Sequence, residues 1–583
     1  MLHVFRSSLG TELPIDCFYK VAFMDTLNQW PARWRLHDWT AWLVGVMPVL
    51  GQAQSDPAAA QRYTEQLGQQ LRERAQPKPL VHVDTLGLEA NTAITRLASV
   101  QVSSHLLSDA IERYWRSRIG QAVSIEQIQA FHAWFYDKAG QEGFMAYAKT
   151  EVVPVAGGEQ LQIQVMQPRI NVVRVLSLGG PLEAAHLQRV QSRFADKFQP
   201  GMPLDTLALD QELDSASFDL PVELEATLRA VGPQLLDLVI TVAPAQAAPG
   251  QLSSGVVQVN NHGLRQYGRS QAMGAVTIGM PGEKTQLSLL GQASEGTAYL
   301  RADYESLLPL AGARWQWFGT HSRSRSVLGG TASTEGHASE LGVGLTRILA
   351  GHRDLVFKGR LDLSVRDSQS HLQATGAPIS SARDHQLRWR LTADNERLSN
   401  HPVRAELGLT LGQYPNAVSA AVPAGAYTKL DVALKSQAPL NADGAWRLSG
   451  RLRGQWANRN LDGYNQITLG GVNGVRAYTS ADGTGDHGVL GSVELTRTLP
   501  RNASVSLFYD IGQVTPQANP SAAASLPRYA LQGTGLQWQG RYHQLHYALT
   551  WAKGRQGYKG WLPSNIESQP NNQRVNASLS FLF

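Results

Sequence analysis

The carboxy-terminal part of the chain, from residue 255 onward, alternates in twos. Leu355, Phe357, Gly359, Leu361, Leu363 and Val365 interleave with Val356, Lys358, Arg360, Asp362, Ser364 and Arg366. That is the period of a β-strand whose two faces meet different surroundings. The pattern returns where Leu387, Trp389 and Leu391 flank Arg388 and Arg390, and where Trp446, Leu448 and Leu452 alternate with Arg447, Arg451 and Arg453. It closes the chain, with Val575, Ala577, Leu579, Phe581 and Phe583 on one parity and Asn576, Ser578, Ser580 and Leu582 on the other. Sixteen such segments are predicted, separated by turn residues and starting near 256, 270, 284, 296, 311, 338, 354, 385, 402, 426, 445, 488, 503, 530, 543 and 573. Consecutive Lys, Arg and Asp on one face are hard to place in a soluble sandwich core, but facing a wet lumen they cost little. The even strand count, apolar outside and polar inside, predicts a transmembrane β-barrel of about sixteen antiparallel strands over 252–583.

Upstream the period changes. Ile94–Val102 reads as a strand and Leu106–Ile119 as a helix. A second helix starts at Ser124, whose spacing to Gln127 suits a capping box. Strands at Met145–Val155 and Gln160–Val165 follow, joined at Gly157-Gly158. The order repeats as strand Asn171–Ser177, helices Ala184–Phe198 and Leu204–Ser217, and strands Val222–Val231 and Leu235–Val242. Strand-helix-helix-strand-strand, twice in tandem, resembles a pair of POTRA domains at 93–170 and 171–246; one ordinary α+β domain is the alternative.

The segment 54–92 is polar. Ala58–Gln76 holds strong helix formers without the apolar stripe of a core-packed helix, so it suits water or a water-filled lumen; Pro77 and Pro79 then open a linker. The apolar run Trp39–Leu50 follows Arg33 and Arg35 and precedes Gly51-Gln52-Ala53, which reads as a secretory signal peptide, with a buried helix as the alternative. Met24 is a second candidate start, so 1–53 reads as an upstream extension plus signal. Cys17, the single cysteine, lies in that segment, so an exported chain carries no thiol or disulfide chemistry.

The 583 residues carry a net charge of +5 and a pI of about 9.1, too mild to argue for nucleic acid. No apolar run reaches the roughly 18 residues of a spanning helix, which leaves a β-barrel untouched. No nucleophile elbow and no His-Glu-x-x-His occur, and His352-Arg353-Asp354 lacks the other kinase motifs. The sixteen histidines show no metal-ligand spacing. The expectation is a non-enzyme with no metal and no cofactor.

One long connection, 457–487, carries Leu469-Gly470-Gly471 and Val475-Arg476-Ala477-Tyr478; loops of that length are usually functional or disordered. Further on lies Phe508-Tyr509-Asp510-Ile511-Gly512. With Val505, Leu507, Tyr509 and Ile511 facing lipid, Phe508, Asp510 and Gly512 point inward. Arg476 and Asp510 then either pair, tethering the loop inside the barrel, or stand as two separate solvated lumen charges.

These two motifs resemble those of the two-partner secretion transporters, the TpsB class of haemolysin and filamentous haemagglutinin exporters. The resemblance extends over nearly all of 54–583. Val259-Asn260-Asn261-His262-Gly263 with Tyr267-Gly268-Arg269 is similar to the family's lead-in to its barrel, and Gln167-Pro168-Arg169-Ile170 to the end of its first POTRA domain. The resemblance implies that Arg476 is the loop arginine, Asp510 its barrel-wall partner and Tyr478 the loop aromatic. It implies that Ala58–Gln76 plugs the resting pore and that Phe581 and Phe583 form the terminal signal read by the barrel-assembly machinery. One departure is Ala477, where the family has Gly, because Ala does not reach positive φ cheaply. The implied function is export of a large unfolded TpsA-like partner, captured by the periplasmic POTRA domains by strand addition, through a monomeric barrel in outer-membrane lipid. An outer-membrane insertase is the runner-up, and a passive porin, to which two docking domains are no use, stands further back.

Overall fold

The computed structural model describes residues 81–83 and 93–583, apart from 105, 179–183, 233, 245–251, 282–283, 309–312, 330–332, 353–354, 396–400, 420–421, 442–443, 521–526 and 556–570. The expected signal segment 1–53 and the polar helix 58–76 lie outside the described residues.

A short strand, β1 (Val81–Val83), precedes two α+β units. The first holds β2 (Leu97–Val102), α1 (Ser108–Arg116), α2 (Ile125–Gln141), β3 (Tyr147–Val155) and β4 (Gly158–Met166), its sheet ordered β2-β4-β3. Ser124 caps α2, its hydroxyl accepting from the Gln127 amide while the Gln127 side chain accepts from the Ser124 amide, which satisfies two otherwise orphaned donors. Trp115, Phe131 and Phe135 fill the core between helices and sheet. Ile94, expected in the first strand, makes only an isolated bridge to Val123.

The second unit repeats the order with β5 (Arg169–Ser177), α3 (Ala184–Lys197), α4 (Thr206–Asp219), β6 (Val222–Gly232) and β7 (Leu235–Pro244). Its sheet runs β1-β6-β7-β5, so the linker strand β1 lies parallel on the edge of β6, from Val81 opposite Ala226 to Val83 opposite Leu228. A three-residue strand carries too little pattern to be read from sequence. The units meet where the Thr206 amide donates to the Gly143 carbonyl at 2.9 Å.

The remaining chain forms a closed antiparallel barrel. Its first strands are β8 (Leu252–Asn260), β9 (Gln271–Gly279), β10 (Gln286–Ser294), β11 (Thr297–Leu308) and β12 (Ala313–Arg325). Next come β13 (Thr334–His352), β14 (Leu355–Leu372), β15 (Pro378–Asp394), β16 (Val403–Tyr414), β17 (Gly425–Pro439) and β18 (Trp446–Ala457). Two-residue strands β19 (Ile467–Thr468) and β20 (Thr484–Gly485) pair within the connection that follows, giving it regular structure that the sequence pattern does not predict. The wall resumes with β21 (His487–Leu499), β22 (Ala503–Thr515), β23 (Tyr529–Tyr542), β24 (Leu545–Gly554) and β25 (Gln573–Leu582). β25 pairs with β8, from Ser578 opposite Asn260 to Leu582 opposite Val256, and no edge is left open.

Leu341, Leu363, Leu411, Leu434, Leu507 and Trp538 are among the large apolar side chains exposed on the outer wall. In water so broad an apolar belt has no excuse; in a bilayer it is the driving contact. No helix among the described residues is long and apolar enough to cross a membrane. β13, β14 and β15 run 17–19 residues, well beyond the roughly 9–11 that a tilted strand needs to span. Their projecting ends explain why two of them start at Thr334 and Pro378, earlier than the expected 338 and 385. Outside the bilayer both faces are wet, so the alternation fades while the backbone ladder continues.

The second α+β unit packs against one end of the barrel. Gln211 of α4 donates to the Leu355 carbonyl at 3.3 Å, the Arg314 guanidinium lies 4.7 Å from the Phe218 ring, and Lys284 donates to the Ser217 carbonyl. All three barrel residues sit at turns on this end. The long connection 457–487 springs from the opposite end and folds inward.

Candidate functional site

The inward loop makes a tight hairpin before it reaches the wall. Leu469 donates to the Gly483 carbonyl at 3.1 Å, Gly470 to the Asp482 carbonyl at 3.0 Å and Gly471 to the Tyr478 carbonyl at 3.0 Å. A Cβ on Gly470 would stand 2.0 Å from the Thr479 carbonyl oxygen, and Gly471 has φ +98°, so both positions exclude other residues for stated reasons. Ala477 is not among the residues with positive φ. The expected penalty for Ala at that position therefore does not arise: the positive φ falls on Gly471 and Gly483 instead. The Ala477 methyl faces Gly533 of β23, where an added Cβ would lie 3.1 Å away.

This hairpin delivers Arg476 to the barrel wall. Its Nε and Nη2 donate to the two Asp510 oxygens, each at 3.0 Å, in a bidentate fork, and its backbone amide donates to the same carboxylate at 3.1 Å. Nη1 reaches Glu494 Oε2 at 2.8 Å and Gln537 Oε1 at 3.0 Å. The guanidinium carbon lies 3.4 Å from the Phe508 ring centroid, a cation–π stack. Ser492 completes the nest by donating to Asp510 Oδ1 at 2.7 Å. Asp510 has no exposure and Arg476 only 3%. Charge-assisted bonds in such a shielded place are strong, and removing either partner leaves an expensive unpaired charge.

The other motif residues surround that pair. Val475, Tyr478 and Phe508 belong to one apolar cluster with Leu469, Leu531 and Ala552. Gly512 lets Leu469 approach, since a Cβ there would lie 3.1 Å from both Leu469 methyls. The loop's main chain is also held from β25, where Asn576 donates to the Arg476 carbonyl at 3.3 Å and nearby Asn572 to the Ala477 carbonyl at 2.8 Å. Phe581 and Phe583 are not part of this assembly. Their rings lie 6.1 Å apart on the lipid-facing side of the seam, and Phe583 exchanges backbone bonds with Gly255 at 2.7 and 3.0 Å.

A second anchor, at the base of the loop, escaped the sequence reading. Asp384 of β15, with no exposure, accepts from Arg366 Nη2 at 3.0 Å, from the Tyr427 hydroxyl at 2.9 Å and from Asn465 Nδ2 at 2.7 Å. The Asn465 amide nitrogen also lies 2.7 Å from Asp462 Oδ1 and 3.0 Å from the Tyr414 hydroxyl. Asn465 and Asp462 belong to the loop; the other four stand on β14–β17. Elsewhere Val472 packs on Met273, Leu290 and Tyr299 of β9–β11, and Ala481 on Leu264 and Tyr267. The loop thus touches the wall in several sectors and crosses the lumen between them. Among the described residues no group of His, Cys, Asp and Glu could hold a metal ion.

A sixteen-stranded barrel with a lipid-facing apolar wall and a long loop anchored across its lumen defines a membrane β-barrel built around a blocked passage. Residues 239–539, more than half of the chain, match the family of haemolysin secretion/activation proteins ShlB/FhaC/HecB. The chain belongs to that family, and is thereby a two-partner secretion transporter of the outer membrane. In structure it is similar to CdiB from Escherichia coli, with a TM-score of 0.56 and 18% identity over 92% of this chain and 100% of that one. CdiB from Acinetobacter baumannii is similar too, with a TM-score of 0.54 and 15% identity over 91% of this chain and 100% of that one. At such identities the likeness bears on fold alone. No curated protein matches the sequence.

Proposed function

We propose that the chain exports one large, unfolded protein partner through its barrel, acting as a monomeric translocator and not as an enzyme. The observation that carries this reading is the loop 457–487: a resting passage closed by a loop pinned through Arg476 and Asp510 is a channel built to open for something specific. A passive porin has no use for such a closure. On this reading the two α+β units are POTRA domains in the periplasm. Strand addition to one of their sheet edges is the proposed mode of capture. The parallel seating of Val81–Val83 on β6 supports it, since that edge already accepts an extended segment. Folding of the emerging partner would supply the driving force, and the aromatic end at Phe581 and Phe583 would be read by the barrel-assembly machinery.

The direct test pairs the chain with a large secreted protein encoded beside its gene. Deleting the chain is expected to leave that partner in the periplasm and to empty the medium of it. Undiminished secretion would sink the export reading. The polar helix 58–76 is proposed as a plug. Its deletion is expected to raise ion conductance in planar bilayers, and unchanged conductance would argue against a plug.

A further inference from the structure

Charge is spread unevenly around the lumen. On the inner faces of β14–β18, nearest the α+β units, the first register row includes Arg451, Lys435 and Arg404. The next holds Arg453, Glu406 and Lys358, and the one above it Asp431, Arg390 and Arg360. Including Asp394 in the first row and Asp362, Arg388 and Lys429 one row higher, nine cations share this strip with four carboxylates. Part of the excess is matched. Arg360 pairs with Asp362 at 2.8 Å, Arg404 with Glu406 at 2.7 Å, Lys429 with Asp431 at 3.2 Å and Arg388 with Glu340 of β13 at 2.7 Å. Arg390, Arg451 and Arg453 make no hydrogen bond or ion pair among the described residues.

The facing wall differs. The inner positions of β22–β25 and β8–β10 are largely Ser, Thr, Asn, Gln and Gly; away from the turns, Asp510 and Arg574 are their only charged residues. That is the wall the loop tip occupies, with Ala477 on Gly533 and Tyr478 beside Gly554. The loop tip lies on that wall and comes near the basic strip through Arg476, whose charge acts on Arg451 from beside Ser492. The strip lies at the end where a chain arriving past the α+β units would enter. Carboxylates lie near enough to act on all three through space, Glu406 and Asp362 on Arg390, Asp510 and Glu494 on Arg451, and Asp431 and Glu406 on Arg453, but none contacts them. Their hydrogen-bond donors are therefore open to an arriving anion, and rings of Arg and Lys are how pores select for anions. The polar segment 58–76 does not complement the strip, since it holds Arg62, Arg72 and Arg74 against Glu65 and Glu73.

We propose that Arg390, Arg451 and Arg453 form a docking strip for the carboxylate side chains of the exported partner, so that acidic extended segments are drawn into the lumen along β15–β18. This rests on reading the lumen as the export route. The test uses the full chain in planar bilayers, with a short poly-glutamate peptide and a poly-lysine peptide of equal length added on the side of the α+β units. Poly-glutamate is expected to block open events and poly-lysine not to. In the combined variant Arg390→Gln, Arg451→Gln, Arg453→Gln the block should weaken about tenfold, the size of three solvated charge contacts together. The matching triple Lys variant should keep it. The reversal potential in a salt gradient should move from anion toward cation preference in the Gln variant. Equal block by both peptides, or unchanged block in the Gln variant, overturns the strip. If the triple Gln variant fails to fold, Arg451→Gln and Arg453→Gln are measured singly against the same outcomes. Partner secretion is scored separately: a strip that fails while secretion still depends on the chain leaves the export reading intact.

Discussion

Arg476→Ala abolishes secretion of the partner while the barrel still folds and inserts: this is the expected result. The substitution removes the fork on Asp510, the bonds to Glu494 and Gln537 and the stack on Phe508. It leaves Asp510 shielded and unpaired, and breaking a buried pair costs about 3–5 kcal/mol. Even the lower figure changes the ratio of docked to released loop by roughly a hundredfold. The wall does not share that loss, because its closure rests on the backbone ladder from β8 round to β25 and not on the loop. Folding is checked by the heat-modifiable gel mobility of barrels, and secretion by partner in the medium. Arg476→Lys should fail almost as badly, since an ammonium offers neither the planar fork nor an equal stack. Normal secretion by the Ala variant would remove the loop tether from the mechanism.

The barrel is legible in the sequence because lipid imposes one uniform rule on every strand: apolar out, with the inner face free. Leu361, Leu363 and Val365 obey it whatever their neighbours do. The rule lapses where lipid ends, and so the outer ends of β13 and β15, from Thr334 and Pro378, carry no alternation that marks them as strand. Arg476 and Asp510 stand out for a different reason, as the arginine of a Gly-bearing motif in a long loop and a lone inward carboxylate on an otherwise uncharged strand. Asp384 had no such contrast. It sits among Arg383, His385 and Arg388, one more charged residue in a charged stretch. Asn465 and Asp462 lie where the chain has no period at all, and only the path of the loop brings them to Asp384. The concern over Ala477 failed similarly: the need for positive φ belonged to the hairpin as a whole and was met by Gly471 and Gly483.

That second anchor leads to the other large expected effect. Asp384→Ala leaves Arg366, itself only 6% exposed, without its carboxylate at 3.0 Å, and takes an acceptor from both Tyr427 and Asn465. The local cost is again about 3–5 kcal/mol. The consequence for the channel differs from that of Arg476→Ala, because one loop is held at two places. With its base freed, the loop remains pinned by Arg476; with its tip freed, it remains pinned by Asn465. Each single variant should therefore show noisier but still restricted currents in planar bilayers. The double variant Asp384→Ala with Arg476→Ala should open far more than the two single effects together. Distant sites that act independently add to within about 0.5 kcal/mol, so a strong excess is the mark of a shared moving part. Asp384→Asn keeps the shape and part of the hydrogen bonding, and should fall between Ala and the native residue. Purely additive conductance would mean that the base network only stiffens the wall, and the loop would then have one anchor, at Arg476, and not two.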